Sequence, residues 1–260
     1  MQALAESGFP FLHQSNVFWR TLVEKEKKQA KELVNQPEEN IPPLKLAPFI
    51  DHTLLKPDAH REQIIQLCQE AIEHHFASVC VNPYWVKQVK QELQHVETRI
   101  CTVIGFPLGA TSTAAKVAEA TVAIEQGAEE LDMVINVGLV KEGNWLEVYK
   151  DIYPVVLTGL GHHVLTKVIL ETALLTDDEI VKASIVAALA GAAYVKTSTG
   201  FASGGASVHA VELMEQSVHT WGVGVKASGG IRDMQSAIQM MKAGATRIGA
   251  SASLNIIRGI

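Results

Sequence analysis

The sequence is short of cysteine, of net positive charge and of long apolar runs, and each shortage excludes a class of protein. Its three cysteines have no CxxC spacing, and the net charge is -6. So few cysteines predict free thiols and a reducing cytoplasm, with Cys80 and Cys101 acting as small hydrophobes in apolar surroundings. A nucleic-acid-binding protein normally has a basic face. A membrane span needs roughly 20 apolar residues. We therefore expect a cytoplasmic protein without nucleic-acid or membrane partners.

Sequence motifs for metals and nucleotides are also missing. The chain contains no HExxH, no GxxxxGK[ST] and no GxGxxG after an early strand. The histidine pairs His74-His75 and His162-His163 have no acidic residues at metal-ligand spacing. We therefore expect neither a metal nor an organic cofactor.

What the sequence does have is a regular alternation that begins at Leu46. Short apolar, β-branched runs alternate with longer helical stretches, which is typical of parallel βα units. The runs cover residues 47–54, 77–81, 100–106, 130–137, 164–170, 193–198, 224–227 and 246–249. Even spacing of about 27 residues predicts an α/β fold, a (β/α)8 TIM barrel. The alternative is a doubly wound open sheet, but so many evenly spaced units favour closure.

Residues 1–45 differ in character from the rest. Phe18, Leu22 and Val23 precede a charged run at 24–28, and Pro42-Pro43 follows. This pattern predicts an N-terminal helical extension and linker over 1–45, before a TIM-barrel catalytic domain over 46–260. A solvated arm is the favoured interpretation, and a partner-binding helix is the alternative. Two further alternatives are that the extension covers the N-terminal end of the barrel or joins a subunit interface. Residues 1–16 lack the basic and apolar regions of a secretory signal.

Charged residues interrupt strands that should be nearly all apolar, because parallel strands are covered on both faces. They are Asp51, Asp132, Lys167, Lys196 and Lys226. A buried lysine is costly unless it is paired or uncharged. Alternation also places Glu171 on the face of Lys167. For any one lysine, a structural ion pair with Asp132 or Glu171 is therefore as good an explanation as a catalytic role. Three lysines in one cavity would lower a lysine pKa, and a free amine can attack a carbonyl to form a Schiff base.

Glycine-rich turns follow the late strands, at residues 199–200, 204–205, 228–230 and 249–251. Backbone N–H groups near helix N-termini bind anions, and barrel phosphate sites favour the loops after strands seven and eight. The alternative is that tight βα turns require glycine for conformational reasons alone.

Four segments together resemble the deoxyribose-phosphate aldolase family of class I aldolases. They are FIDHTLLKP at 49–57, LDMVIN at 131–136, VKTSTG at 195–200 and VKASGGIR at 225–232. The resemblance extends over about residues 46–257. It implies a lyase that reversibly cleaves 2-deoxy-D-ribose 5-phosphate to D-glyceraldehyde 3-phosphate and acetaldehyde, in deoxyribonucleoside catabolism. It also implies a homo-oligomer, dimer or tetramer, that needs no cofactor.

The resemblance further implies roles for individual residues. Lys196 would be the Schiff-base nucleophile, Lys226 the neighbouring cation that lowers its pKa, and Asp132 the acid that shuttles protons with a water. The substrate-binding residues would be Asp51, Lys167, Thr199, Gly200, Gly229, Gly230, Gly249 and Ser251. Some family members carry a lysine directly after the Thr-Ser-Thr-Gly turn, where this chain has Phe201. Phosphate binding would then rely on backbone N–H groups and dipoles.

Two other functions compete with this hypothesis. One is a different Schiff-base aldolase on the same fold, such as a transaldolase-like or fructose-bisphosphate-type enzyme. The other is a non-catalytic barrel that senses sugar phosphates. A sensor would need the glycine turns but would have no use for two lysines and an aspartate, so these residues favour an enzyme.

Overall fold

Eight parallel strands close into a barrel in chain order, and β8 pairs with β1. The computed structural model describes residues 17–260; residues 1–16, where no secretory signal is expected, lie outside this range. The strands are β1 (Ile50–Leu54), β2 (Ser78–Val81), β3 (Arg99–Ile104), β4 (Glu130–Val134), β5 (Leu165–Ile169), β6 (Tyr194–Lys196), β7 (Gly224–Ser228) and β8 (Arg247–Ala250). The predicted TIM barrel is confirmed, and the open sheet is wrong because such a sheet would have two edge strands.

Helices surround the barrel and cover its outer face. They are α1 (Val17–Val34), α2 (Arg61–His74), α3 (Val86–Glu92), α4 (Thr113–Gln126), α5 (Val137–Lys141), α6 (Trp145–Gly161), α7 (Asp177–Leu189), α8 (Val208–Val218), α9 (Met234–Lys242) and α10 (Ser253–Arg258). The main core lies between these helices and the strands. Among the described residues, no helix combines the length and the hydropathy needed to cross a membrane.

Several strands are shorter than the sequence predicts, and β1 and β4 are shortened for clear local reasons. Strand β1 begins at Ile50 and not at residue 47, because Pro43–Phe49 form a 3-10 helix with Pro48 inside it. Proline has no N–H to donate to a neighbouring strand. Strand β4 ends at Val134 because Asn136 caps α5, where its side chain accepts from the backbone N of Leu139.

Helix α1 packs against the amino-terminal end of the barrel. Its Trp19 and Val23 are buried in one cluster with Leu165, Ala193 and Tyr194, which lie at or beside the first residues of β5 and β6. The solvated-arm interpretation is therefore wrong for this helix, because its apolar face has a partner within the same chain. The division of the chain at residue 45 stays a prediction.

Successive residues of β1 point to opposite sides of the barrel wall. Asp51 faces the interior, where its carboxylate lies against Lys226. His52 faces outward, and its ring nitrogens bond to Glu70 of α2 at 2.7 Å and to Ser253 of α10 at 2.9 Å. Burial lowers the pKa of His52 even though Glu70 acts in the opposite direction. This alternation is what turns the charged strand residues towards one another inside the barrel.

A buried ion pair fastens α4 and α6 to the end of β4. The ammonium of Lys116 donates to Asp151 Oδ2 at 2.6 Å and to the backbone oxygen of Val134 at 2.8 Å. Asp151 also accepts from the backbone N of Asn136 and from the hydroxyl of Thr113. The pair therefore fixes the turn that follows β4, the strand that contains Asp132.

We expect Lys116→Met to lower the free energy of unfolding by about 3 kcal/mol, because removing one partner leaves the Asp151 charge buried without compensation. Urea unfolding followed by circular dichroism measures the change. The matched control is Lys28→Met, whose pair with Glu32 is exposed and 3.9 Å long. The control should change stability little. A loss at Lys116 no larger than the control's would contradict the prediction.

Candidate active site

One carboxylate, that of Asp132, gathers three lysines inside the barrel. Its Oδ1 accepts from Lys167 Nζ at 2.8 Å, and its Oδ2 accepts from Lys196 Nζ at 2.8 Å and Lys226 Nζ at 2.7 Å. Strand register causes this, since Asp132 lies opposite Lys167 and Lys196 lies opposite Lys226. All four side chains are buried, and Lys196 is 3% exposed. The three predicted lysines therefore do converge, on the carboxylate of Asp132 inside the barrel.

Two more carboxylates lie in the layer below Asp132. Glu130 pairs with Lys167 at 2.5 Å and with Arg247 at 3.4 Å. Asp51 pairs with Lys226 and lies 2.9 Å from Arg247 and 3.6 Å from Lys167. Asp51 and Glu130 thus support the lysine cluster from beneath, with Lys167 in contact with both.

Glu130 and Arg247 were missed by the sequence reasoning. Each is the first residue of its strand, where charged residues usually belong to the preceding turn. A signal was present for Glu130, because it stands two residues before Asp132 and alternation places both on the same face. Arg247 has the same relation to Gly249.

The carboxylates of this network are held in their charged form. Burial alone would raise the pKa of Asp132, but Lys167, Lys196 and Lys226 outweigh it and hold that pKa well below its ordinary value. Burial would also raise the pKa values of Asp51 and Glu130. The neighbouring lysines and Arg247 outweigh burial and lower both pKa values. An ionised carboxylate is therefore available beside every lysine of the cluster.

The two supporting lysines are held as cations. Burial would lower the pKa of Lys226, but Asp132 and Asp51 outweigh it and raise that pKa. The pKa of Lys167 is raised well above its ordinary value in the same way, chiefly by Asp132. Because Lys196 and Lys226 share one oxygen of Asp132, Lys196 has a fixed positive charge within two hydrogen-bond lengths.

Glu171 does not join the lysines, and its predicted place on their face is wrong. The residue adopts a left-handed conformation, with φ of 59°, so the chain turns away after β5. Its carboxylate instead accepts from the backbone N and the hydroxyl of Thr199. Of the two ion-pair partners considered from the sequence, Asp132 is the one that contacts Lys196. Glu171 holds the turn that follows β6.

Cys101 is a second departure, because its surroundings are not simply apolar. Its Sγ lies 3.3 Å from Asp132 Oδ1 and 3.4 Å from Lys167 Nζ. Burial raises the pKa of the Cys101 thiol well above its ordinary value. Cys101 could share a metal with Cys80 and Asp132, or with Asp51 and Glu130, since each set brings its ligand atoms within 4.8 Å.

The carboxylates of both sets are already paired with the strand lysines or Arg247. A metal ion there would have to displace cations, so the residues present do not fit one. The expectation that no cofactor is needed stays a prediction.

A cleft of about 290 Å³ opens above the lysine cluster, at the carboxyl end of the barrel. Lys196 lines it, together with six residues predicted to bind substrate: Thr199, Gly200, Gly229, Gly230, Gly249 and Ser251. Lys56 and Arg232 also line it as exposed cations, and neither was predicted. A wider depression of about 920 Å³ lies outside the barrel beside Tyr84 and Val122. Of these two cavities, only the smaller cleft is lined by Lys196.

Two of the glycine turns are explained by close packing. A Cβ on Gly249 would lie 2.9 Å from Ser228 Cβ and 3.0 Å from Lys226 Cε. A Cβ on Gly205 would lie 2.2 Å from the backbone oxygen of Gly229. Packing alone therefore requires glycine at 205 and 249, and a role of Gly249 in substrate binding stays a prediction.

Two backbone N–H groups of the turn after β6 already have hydrogen-bond acceptors within the protein. Glu171 takes the backbone N–H of Thr199, and the Thr199 hydroxyl accepts the N–H of Phe201 at 3.1 Å. The Phe201 ring is 52% exposed and packs edge-on against Phe106, with ring centroids 5.2 Å apart. An anion at this turn would therefore meet an aromatic wall and would not find those two N–H groups free.

Known proteins share this barrel and its sequence. Residues 46–259 match the sequence model of a family described as DeoC/LacD family aldolase. The chain is 54% identical over 214 residues to deoxyribose-phosphate aldolase 1 of Oceanobacillus iheyensis, covering 82% of this chain and 96% of that protein. It is 55% identical to the deoxyribose-phosphate aldolase of Lactiplantibacillus plantarum, with 82% and 99% covered.

Solved structures agree with this. A deoxyribose phosphate aldolase from Aeropyrum pernix, described as having a unique tetrameric structure, superposes with a TM-score of 0.79 at 32% identity. The superposition covers 90% of this chain and 95% of the Aeropyrum pernix chain.

We expect Asp132→Asn to lower the free energy of unfolding by about 3 kcal/mol at pH 7, since it removes the charge that three buried ammonium groups share. The folded pKa of Asp132 lies well below its ordinary value of 3.8. The stability that Asp132 contributes is therefore complete above about pH 5 and is lost as the pH falls towards that folded pKa.

Urea unfolding of both proteins across a pH series measures this difference. The matched control is Asp58→Asn, at an exposed turn, which should change stability little at any pH. A wild-type advantage that stayed constant from neutral to strongly acidic pH would contradict the prediction.

Proposed function

Because this chain belongs to the DeoC/LacD family of aldolases, we propose that it reversibly cleaves 2-deoxy-D-ribose 5-phosphate, with Lys196 as the Schiff-base nucleophile. The products are D-glyceraldehyde 3-phosphate and acetaldehyde. The observation that carries the proposal is the position of Lys196. Of the three strand lysines, it lines the cleft, while Lys167 and Lys226 are completely buried beneath it.

The reaction begins when the free amine of Lys196 attacks the C1 aldehyde of the open-chain sugar. The resulting carbinolamine loses water to form an iminium ion, which draws electrons from the C2–C3 bond. Loss of the C3 hydroxyl proton breaks that bond and releases D-glyceraldehyde 3-phosphate. The remaining enamine takes a proton at C2, and water hydrolyses the iminium to acetaldehyde and the free lysine.

Asp132 is supported as the group that moves protons during these steps. Its Oδ2 already accepts from Lys196 Nζ at 2.8 Å, so it can take a proton as the amine attacks. Its pKa lies well below the ordinary value, so it does not retain a proton. A carboxylate of this kind passes the proton on to a water in the cleft. Lys226, held as a cation on the same oxygen, places a fixed positive charge beside the proposed nucleophile.

The phosphate group is proposed to bind at the rim of the cleft. The exposed cations Lys56 and Arg232 line it beside the Gly229-Gly230 turn. Phe201, in the turn after β6, offers no charge to an anion. We therefore assign phosphate recognition to the loops after β7 and β8 and to Arg232, where a charge-assisted hydrogen bond is strongest.

The wider setting of the enzyme is proposed from the relatives. We place it in deoxyribonucleoside catabolism. We also place it in the cytoplasm, because its three cysteines are free thiols. We also propose a homo-oligomer, because the Aeropyrum pernix enzyme is described as tetrameric. Another Schiff-base aldolase activity is the remaining rival, since the lysine chemistry would be shared and only the trapped donor would differ.

Reduction with borohydride in the presence of acetaldehyde should leave an ethyl group on Lys196, because the reagent reduces the iminium to a stable amine. Peptide mass spectrometry locates the adduct. Lys196→Arg keeps a long basic side chain but removes the primary amine, and it should lose the adduct and at least about 10³-fold in kcat. Lys242→Arg, at an exposed position at the end of α9, should behave as wild type.

EDTA should leave turnover intact. An adduct on a different lysine, or activity that disappears with EDTA, would overturn the proposed mechanism. Trapping by dihydroxyacetone in preference to acetaldehyde would favour the transaldolase-like rival.

Arg232→Gln should raise KM for 2-deoxyribose 5-phosphate about tenfold, the effect of losing one charge-assisted hydrogen bond. Steady-state kinetics with unphosphorylated 2-deoxyribose should show no such change. Arg61→Gln is the matched control, because Arg61 lines the depression outside the barrel. An equal effect on both sugars would mean that Arg232 does not bind the phosphate.

A further inference from the structure

We propose that Glu26, on helix α1 at the closed end of the barrel, is a positioning residue for Lys196. It pairs with Arg247 and so leaves the carboxylates of the next layer available to the active-site lysines. The inference rests on the proposed function of Lys196. It extends the site to a helix outside residues 46–259, the part of the chain that matches the family.

Glu26 enters the barrel interior from below. Its Oε1 lies 2.6 Å from the guanidinium of Arg247, and its Oε2 accepts from the hydroxyl of Tyr194. Arg247 is 2% exposed, Tyr194 is completely buried, and the guanidinium lies over the tyrosine ring. The carboxylate therefore meets one cation and one hydroxyl in a place from which water is largely excluded.

A continuous series of contacts joins Glu26 to the nucleophile. Arg247 donates to Asp51 Oδ1 at 2.9 Å, and Asp51 pairs with Lys226. Lys226 in turn shares Asp132 Oδ2 with Lys196. Each contact joins opposite charges, and buried charges influence one another more strongly than exposed ones. A change at Glu26 therefore alters how firmly Asp51 holds Lys226.

The count of charges gives the reason that Glu26 matters. The interior contains four basic side chains: Lys167, Lys196, Lys226 and Arg247. The strands supply three carboxylates: Asp51, Glu130 and Asp132. Glu26 is the fourth, and Arg99, 3.5 Å from Glu130 at the same end, adds positive charge. Without Glu26, Asp51 and Glu130 would be the two carboxylates left to pair with Arg247.

Several contacts besides those of Glu26 attach α1 to the barrel. Trp19 and Val23 are buried against the barrel. Lys27 pairs with Glu215 of α8 at 3.3 Å, and Arg20 donates to the backbone oxygen of Trp221. Glu26 differs from these residues because its carboxylate reaches the charges of the barrel interior.

The test uses the full chain with Glu26→Gln, which keeps the shape of the side chain and removes its charge. The excess positive charge favours an uncharged amine. The pH for half-maximal trapping of Lys196 by acetaldehyde and cyanoborohydride should therefore fall by about half a unit. Loosened positioning of Lys226 should lower kcat about tenfold with little change in KM.

Lys27→Met is the matched control, because it weakens the attachment of α1 without touching the interior charges. It should keep the wild-type trapping midpoint. If both variants shift alike, or neither does, Glu26 acts only through helix docking or not at all, and the inference is wrong. Wild-type protein that is not trapped on Lys196 would instead defeat the proposed function itself.

The double variant Glu26→Gln/Arg247→Met serves if the single variant does not fold. Its interior has three cations and three carboxylates, so its charges balance again. It should fold and show a trapping midpoint close to that of wild type. A folded double variant whose midpoint moves as far as that expected for Glu26→Gln would also overturn the inference.

Discussion

The whole interior depends on one constraint: a charge removed from water must be matched by an opposite charge at contact distance. Asp132 meets this requirement for three lysines at once, and Asp51 and Glu130 repeat the pattern one layer lower. The barrel brings these groups together because parallel strands in register present alternate residues to a shared axis. The network is thus both the polar centre of the fold and the floor of the cleft.

The parts of this site that could be predicted from the sequence are those that contradict their surroundings. A lysine that directly follows a valine inside a strand, as in Val195-Lys196 or Val225-Lys226, is not an ordinary buried strand residue. Regular spacing of the strands then predicts that such residues meet. For the same reason the closed barrel itself could be predicted, since it needs only the period of the strands and helices.

The parts that could not be predicted depend on where a strand begins or ends. Arg247 and Glu130 resemble turn residues until the barrel shows them facing inward. Glu171 was expected beside Lys167, but a left-handed residue breaks the alternation on which that expectation depended. The burial of α1 against the barrel was only one of several alternatives left open by the sequence, for a different reason. An amphipathic pattern indicates that a helix has an apolar face, but it does not say which surface will cover that face.

The contact between Glu26 and Arg247 joins residues 221 positions apart. A growing chain exposes α1 long before the ribosome has made β8, and strand β1 likewise waits for β8 before the barrel can close. The surroundings of Lys196, the proposed nucleophile, therefore assemble last, after the final strand has been synthesised. A chain that stops short of β8 has every strand lysine but no closed interior to hold them. Assembly in this order completes the charge network around Lys196 only when the barrel itself is complete.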